Sequence, residues 1–184
     1  GSTLGKELVS NPITRLVTMT GSVETGQELY RLAADRITAL RLELGGKAPF
    51  LVLEDADLDR AVECAVIPRF LNCGQVCTCN ERMYVHEAVY DEFMERFIAQ
   101  VSRLKVGDPL EADTDVGPKV SRAELESIEA MVQEAVDQGC QVALGGGRPT
   151  GTQFEKGHWF QPTVLTDATN DMSIMQQEIF GPIV

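Results

Sequence analysis

The stretch TALRLELGGKAPFLVLEDADLDRAVECAVIPRF, residues 38–70, decides the fold. Thr38 to Leu44 alternates like a strand with one buried face, and Gly45-Gly46 ends it. Pro49 to Leu53 reads as a second, apolar strand. Leu58 to Phe70 reads as a helix, opened by Asp55 and Asp57 as caps or dipole partners. The same alternation continues on both sides. Toward the N-terminus, Leu4 to Val9 reads as a short helix and Ile13 to Thr18 as a strand between Asn11-Pro12 and Gly21. Glu24 to Arg36 reads as a helix with Leu29, Leu32 and Ala33 on one face. Toward the C-terminus, Arg82 to His86 is strand-like, and Tyr90 to Leu104 spaces Phe93, Met94, Phe97, Ile98, Val101 and Leu104 three or four apart. Val106 to Lys119 is a loop rich in Gly, Pro and Asp. Ser121 to Gln138 is a helix with Ser121 and Glu124 spaced as a capping box and Gly139 at its end. Cys140 to Leu144 and Pro162 to Leu165 are short strands. This pattern predicts an α/β fold of mostly parallel sheets flanked by helices. The domain joint is placed at Gly45-Gly46, and both ends read as cut from something longer.

Composition narrows the function classes. Sixteen Lys and Arg against 28 Asp and Glu leave a net charge of -12. That charge repels a nucleic-acid duplex and an anionic membrane alike. Apolar residues are 43% of the chain, enough for a sizeable core. The longest unbroken apolar run, Ala48 to Leu53, falls far short of the roughly 20 residues that cross a bilayer. Five cysteines, an odd number with three clustered at Cys73, Cys77 and Cys79, favour free thiols in a reducing cytoplasm over a disulfide framework.

Four local patterns carry chemistry. In Asn-Cys-Gly-Gln-Val-Cys, residues 72–77, a polar glycine turn presents a cysteine after a helix. A thiol reacts as thiolate, and backbone N–H groups at a following helix start would favour that form and could hold an oxyanion. A zinc or iron–sulfur site is the rival reading of the cluster. Its C-x3-C-x-C spacing differs from the C-x2-C pairs of zinc ribbons, and neither His86 nor His158 lies in an H-x3-H pair, so no metal is assigned. In Leu-Glu-Leu-Gly-Gly-Lys, residues 42–47, Glu43 stands between leucines at the C-terminal end of a strand, where α/β sheets gather ligands. Apolar flanks suit a general base, although a solvent-facing Glu is the plainer reading. In Met-Thr-Gly-Ser, residues 19–22, a strand, a glycine turn and a helix start could seat a phosphate or simply cap the helix. Gly1 to Gly5 could form a second such turn, or be a cloning remnant.

Together these motifs resemble the NAD(P)-dependent aldehyde dehydrogenase superfamily over nearly the whole chain. Met-Thr-Gly-Ser at 19–22 is similar to the family's cofactor turn, with Met19 in place of the usual Phe. Leu-Glu-Leu-Gly-Gly-Lys at 42–47 matches its general-base motif, and Gly-Gln-Val-Cys at 74–77 its nucleophile motif, with Glu43 and Cys77 34 apart. Arg82, Gly107-Asp108-Pro109, Gly117-Pro118, Gln161-Pro162-Thr163 and Glu178-Ile179-Phe180-Gly181-Pro182 also fit. The run from Asn72 to Val85 looks most like the lactaldehyde and glycolaldehyde dehydrogenase branch.

The resemblance implies residues 1–44 as the end of a Rossmann-like cofactor domain and 45–184 as most of a catalytic domain. It implies NAD or NADP as cofactor, a small-molecule aldehyde as substrate, and a dimeric or tetrameric enzyme. Cys77 is then the nucleophile and Glu43 the base that hydrolyses the thioester. Gly21, Ser22, Leu44, Gly45, Glu178 and Phe180 form the cofactor set, with Ser22 on the pyrophosphate and Glu178 on the nicotinamide ribose. The family's upstream Asn oxyanion donor and its adenine-ribose residues have no match, so the 184 residues alone are expected to bind cofactor weakly and not to turn over. Alternatives are a CoA-acylating aldehyde dehydrogenase, which the presence of Glu43 disfavours, a catalytically silent fragment, and a thiol or metal-binding module.

Overall fold

A computed structural model describes residues 2–184. The chain divides into two units, one ending at Gly46 and the other Lys47–Val184, two residues beyond the joint expected after Leu44. Part of the candidate turn at 1–5 lies outside the described residues, and the rest belongs to helix α1 (Ser2–Ser10).

The first unit is a strand–helix–strand. Strand β1 (Leu16–Thr20) pairs in parallel with β2 (Ala39–Glu43), with helix α2 (Val23–Ala33) between them in sequence. β1 starts at Leu16 rather than Ile13 because Asn11 holds a turn. Its side chain accepts the Ile13 N–H at 3.0 Å and its carbonyl the Thr14 N–H at 3.1 Å. Alternation puts Val17, Met19, Leu40 and Leu42 on one face, where they pack with Leu29 and Ala33 of α2 and with Val9. Gly26 sits inside α2, where glycine costs about 0.5–1 kcal/mol relative to alanine. A Cβ there would stand 3.0 Å from both Leu44 methyl carbons, so the glycine lets helix and strand approach.

The second unit holds two strand pairs. Strands β3 (Ala48–Val52) and β4 (Asn80–Val85) are parallel and joined through helix α3 (Leu58–Phe70). Asp57 caps α3 by accepting the Arg60 N–H at 3.2 Å, so Asp57 rather than Asp55 is the cap. Val62, Ala65, Val66 and Phe70 of α3 pack with Phe93, Phe97 and Val101 of helix α4 (Tyr90–Val101). Helix α5 (Arg122–Asp137), capped by Ser121, presents Leu125, Ile128, Val132 and Ala135 to Phe160, Ile174, Ile179 and Ile183. Strands β5 (Gln141–Leu144) and β6 (Val164–Thr166) are antiparallel, the exception to the parallel pattern. A short helix, α6 (Ser173–Gln176), has too few residues for a sequence period and was not expected.

Candidate active site

The cysteine loop begins where α3 ends. Asn72 (φ 53°, ψ 33°) and Cys73 (φ 59°, ψ 32°) are left-handed, and Gly74 follows at φ 67°. A left-handed non-glycine residue costs roughly 1–2 kcal/mol, so other contacts must hold this turn. The Asn72 amide donates to the Gln75 carbonyl at 3.1 Å, and the Gln75 amide donates back to the Asn72 carbonyl at 3.0 Å. Gln75 also accepts the Val120 N–H at 2.9 Å, which ties Gly-Gln-Val-Cys to the Gly-Pro-Lys loop. Gly74 has a steric reason as well, since a Cβ there would lie 2.1 Å from the Gly181 carbonyl oxygen.

Within this loop Cys73 and Cys79 are buried and Cys77 is half-exposed. Burial pushes the Cys73 thiol up to about 11, against the opposing charges of Lys119 and Arg69. Burial also raises Cys79, whose Sγ donates to the Val76 carbonyl at 2.8 Å. Both therefore stay protonated at neutral pH, leaving Cys77 as the accessible thiol of the cluster. Cys77 lies in a turn that leads into β4, so the helix start expected after it does not form, because Asn80 to Val85 pairs with β3 instead. Cys64, elsewhere on α3, is exposed.

Glu178 and Phe180 lie on the segment that meets this loop, and both are half-buried. Phe180 is left-handed at φ 51°. Its neighbourhood is held by charged side chains that the motifs did not single out. Glu81, 4% exposed, accepts the N–H groups of Ile179 at 2.7 Å and Phe180 at 2.9 Å. The Lys119 ammonium donates to the Phe180 carbonyl and sits 5.5 Å from its ring centroid. Arg69, fully buried, donates to the carbonyls of Gly181, of Gly74 at 3.0 Å and of Asn80 at 3.3 Å. Glu81 pairs with Lys47 at 3.0 Å and with Arg69 at 3.6 Å. Burial lowers the pKa of Lys47 and of Lys119, opposed at Lys47 by the Glu81 charge and at Lys119 by Cys73 and Glu124. Arg82 donates to the Lys47 carbonyl at 3.0 Å, joining β4 to the end of the Gly-Gly-Lys motif.

Arg69 was missed by the motifs, although a signal for it existed. It falls at the i+7 position of the buried stripe Val62, Ala65, Val66, Arg69, Phe70, where a charge needs a buried partner. Glu81 and Lys119 carry no such local signal.

The remaining candidates lie in the first unit. The Gly21 N–H donates to the Glu43 carbonyl at 3.1 Å, bringing the glycine turn and the end of β2 to one sheet edge. Ser22 is the N-cap of α2, accepting the Thr25 N–H at 3.2 Å. Gly21, Ser22 and the first turn of α2 are exposed, as an anion site requires. Glu24 in that turn shows its preference for negative charge. Its carboxyl is held below the usual range by its own backbone N–H and the Ser22 hydroxyl. Leu44 is half-buried and Gly45 exposed. Glu43 is exposed, and its flanking leucines do not shield it. Leu42 and Leu44 approach Gly26 of α2, because strand alternation sends them to the face opposite Glu43. The expected apolar flank thus exists in sequence and not in space. Among the described residues, no three His, Cys, Asp or Glu side chains converge as a metal site, and no helix is long and apolar enough to cross a membrane.

Comparison with known proteins bears on the family and the fold. The model of the aldehyde dehydrogenase family matches residues 1–184. The 3,6-anhydro-alpha-L-galactose dehydrogenase of Vibrio sp. (strain EJY3) is 50% identical over 100% of this chain and 38% of its own length. The lactaldehyde dehydrogenase of Escherichia coli (strain K12) is 44% identical over 100% of this chain and 38% of its own. Among solved structures, a 3,6-anhydro-L-galactose dehydrogenase in complex with NAP superposes with a TM-score of 0.97 at 55% identity, covering 100% of this chain and 39% of that one. The betaine aldehyde dehydrogenase of Staphylococcus aureus in complex with NAD+ gives 0.94 at 36% identity, covering 98% and 36%. The chain thus spans somewhat over a third of the length of the relatives it matches, and it belongs to the aldehyde dehydrogenase family.

Proposed function

We propose that this chain supplies the nucleophile, the hydrolytic base and part of the cofactor site for NAD(P)-dependent oxidation of a small aldehyde to a carboxylic acid. The observation that carries the reading is the cysteine loop. Of its three thiols only Cys77 is accessible, and it follows the left-handed turn at 72–74, which Arg69 ties to Gly181 beside Glu178 and Phe180. Family membership supports the same assignment.

In this reading the Cys77 thiolate adds to the aldehyde carbon and gives a thiohemiacetal oxyanion, with the Cys77 backbone N–H as one donor to that oxygen. NAD or NADP, when bound, supplies the hydride acceptor for that carbon. The oxidised carbon is then held as a thioester on Cys77. Glu43 takes a proton from water as the water oxygen adds to the thioester carbon, and sulfur departs as thiolate. Glu43 is exposed, as a base that meets water must be. The exposed N-terminal turn of α2 fits a pyrophosphate, with Gly21 and Ser22 as its donors and Leu44 and Gly45 beside them. Glu178 holds the ribose hydroxyls and Phe180 packs nearby. Residues 1–44 act as the end of the cofactor domain and 45–184 as most of the catalytic domain. The enzyme works as a homo-oligomer, and in a reducing cytoplasm, which suits five unpaired cysteines.

The test is a graft in which residues 1–184 replace the matching segment of the Vibrio enzyme. Reduction of NAD or NADP with glycolaldehyde or lactaldehyde, abolished by Cys77→Ser, supports the reading. A folded graft without such activity overturns it.

A further inference from the structure

We infer that Glu81, with Arg69, is the positioning residue that sets the Glu178–Phe180 segment against the Cys77 loop, and so governs cofactor engagement more than aldehyde binding. The inference rests on the function proposed above, but its geometry stands alone. Four backbone polar groups, from the Ile179 N–H to the Gly181 carbonyl, are each engaged by a buried charged side chain. Glu81 takes the N–H groups of Ile179 and Phe180, Lys119 donates to the Phe180 carbonyl, and Arg69 donates to the Gly181 carbonyl.

No helix or strand fixes residues 178–182 locally, and Phe180 is held in the left-handed region. A segment with that geometry keeps it only where its surroundings over-determine it. Arg69 is the shared element. The same guanidinium reaches Gly74 in the cysteine loop, Asn80 at the start of β4 and Gly181 in the segment, while pairing with Glu81. The cysteine loop at Gly74 and the segment at Gly181 are thus cross-linked through one buried guanidinium, which is paired with Glu81.

The chemistry dictates which change is informative. Glu81→Gln keeps the shape, but its amide offers one carbonyl oxygen where two N–H groups need acceptors, and it removes the charge facing Lys47 and Arg69. Arg69→Lys keeps the charge and loses the fork that serves several carbonyls at once.

Two measurements test the proposal. In the 184-residue chain, Glu81→Gln should speed amide hydrogen exchange at Ile179 and Phe180 by about tenfold or more, with the interior of α5 unchanged. Unchanged exchange at those two amides would overturn the clamp. In the Vibrio graft, which carries the whole chain, Glu81→Gln and Arg69→Lys should raise the KM for NAD or NADP by about fivefold or more while the aldehyde KM stays put. An unchanged cofactor KM, or both KM values rising together, would reduce the pair to a structural role and overturn the inference. A graft inactive before any substitution would overturn the function proposed above, and the exchange measurement would still decide the clamp.

Discussion

The Glu81 carboxylate accepts the backbone N–H of Phe180 at 2.9 Å across 99 residues of sequence. That bond belongs to a buried set of charges joining the end of α3, the cysteine loop, β4 and the 179–181 segment. Removing one partner of such a set strands the others, at a cost of about 3–5 kcal/mol. The geometry of the cysteine loop and the stability of the second unit are therefore one problem.

Gly74→Ala should be among the most damaging single-methyl additions to the chain. The new Cβ would meet the Gly181 carbonyl oxygen at 2.1 Å, on a residue already at φ 67°. The left-handed penalty alone is about 1–2 kcal/mol, and the clash adds to it. Urea denaturation should show a loss beyond that range, whereas Gly139→Ala, where a Cβ meets nothing within 4 Å, should lose only the conformational part.

Limited alkylation should separate the five thiols by burial. Iodoacetamide at neutral pH should label Cys77 and Cys64 and spare Cys73, Cys79 and Cys140, all three buried with raised pKa. Cys77 should react faster than Cys64, because the N–H groups around Cys64 are committed to the α3 ladder, whereas Cys77 lies in a turn. Peptide mapping that found Cys64 modified first would weaken the case for Cys77.

Stability should fall at alkaline pH in a way that depends on Cys73. Its thiol is raised from 9.0 to about 11. Between those values the unfolded chain releases the proton and the folded chain keeps it, so the unfolded state binds fewer protons and stability drops as pH rises. The contribution is fully present below the lower value and is worth about 2–3 kcal/mol in all. With reductant present, the protein should lose about 2 kcal/mol more than Cys73→Ala between pH 8 and 11. Equal losses would mean that the folded chain does not shield this thiol.

Glu43→Gln in the graft should separate the two halves of the proposed reaction. The amide keeps the shape but takes no proton from water. A burst of reduced cofactor should persist while steady turnover falls by about 10²-fold or more. Loss of the burst with unchanged hydrolysis would contradict a base role for Glu43.

The fold was legible where the signal is local. Leu58 to Phe70 is helix end to end, and the caps Asp57 and Ser121 stand where their side-chain chemistry places them. The first strand began later than its β-rich composition suggested, because the Asn11 turn uses Ile13 and Thr14. Site chemistry was legible as motifs, but its support was not. The partners of Glu81 lie on α3, in the Gly-Gly-Lys motif and in the 179–180 backbone, so no spacing in one stretch reveals them. The leucines beside Glu43 misled for the opposite reason. Neighbours in a strand point to opposite faces, and sequence adjacency there means spatial separation.

The most direct test of the central claim is to trap the acyl group. The Glu43→Gln graft, given aldehyde with NAD or NADP, should be quenched in acid, digested and mapped by mass spectrometry. An acyl adduct of the substrate's oxidised mass on the Cys77 peptide, absent in a Glu43→Gln/Cys77→Ser double variant, is the predicted result. An adduct on another cysteine, or cofactor reduction that survives Cys77→Ser, would contradict the assignment of Cys77 as the nucleophile.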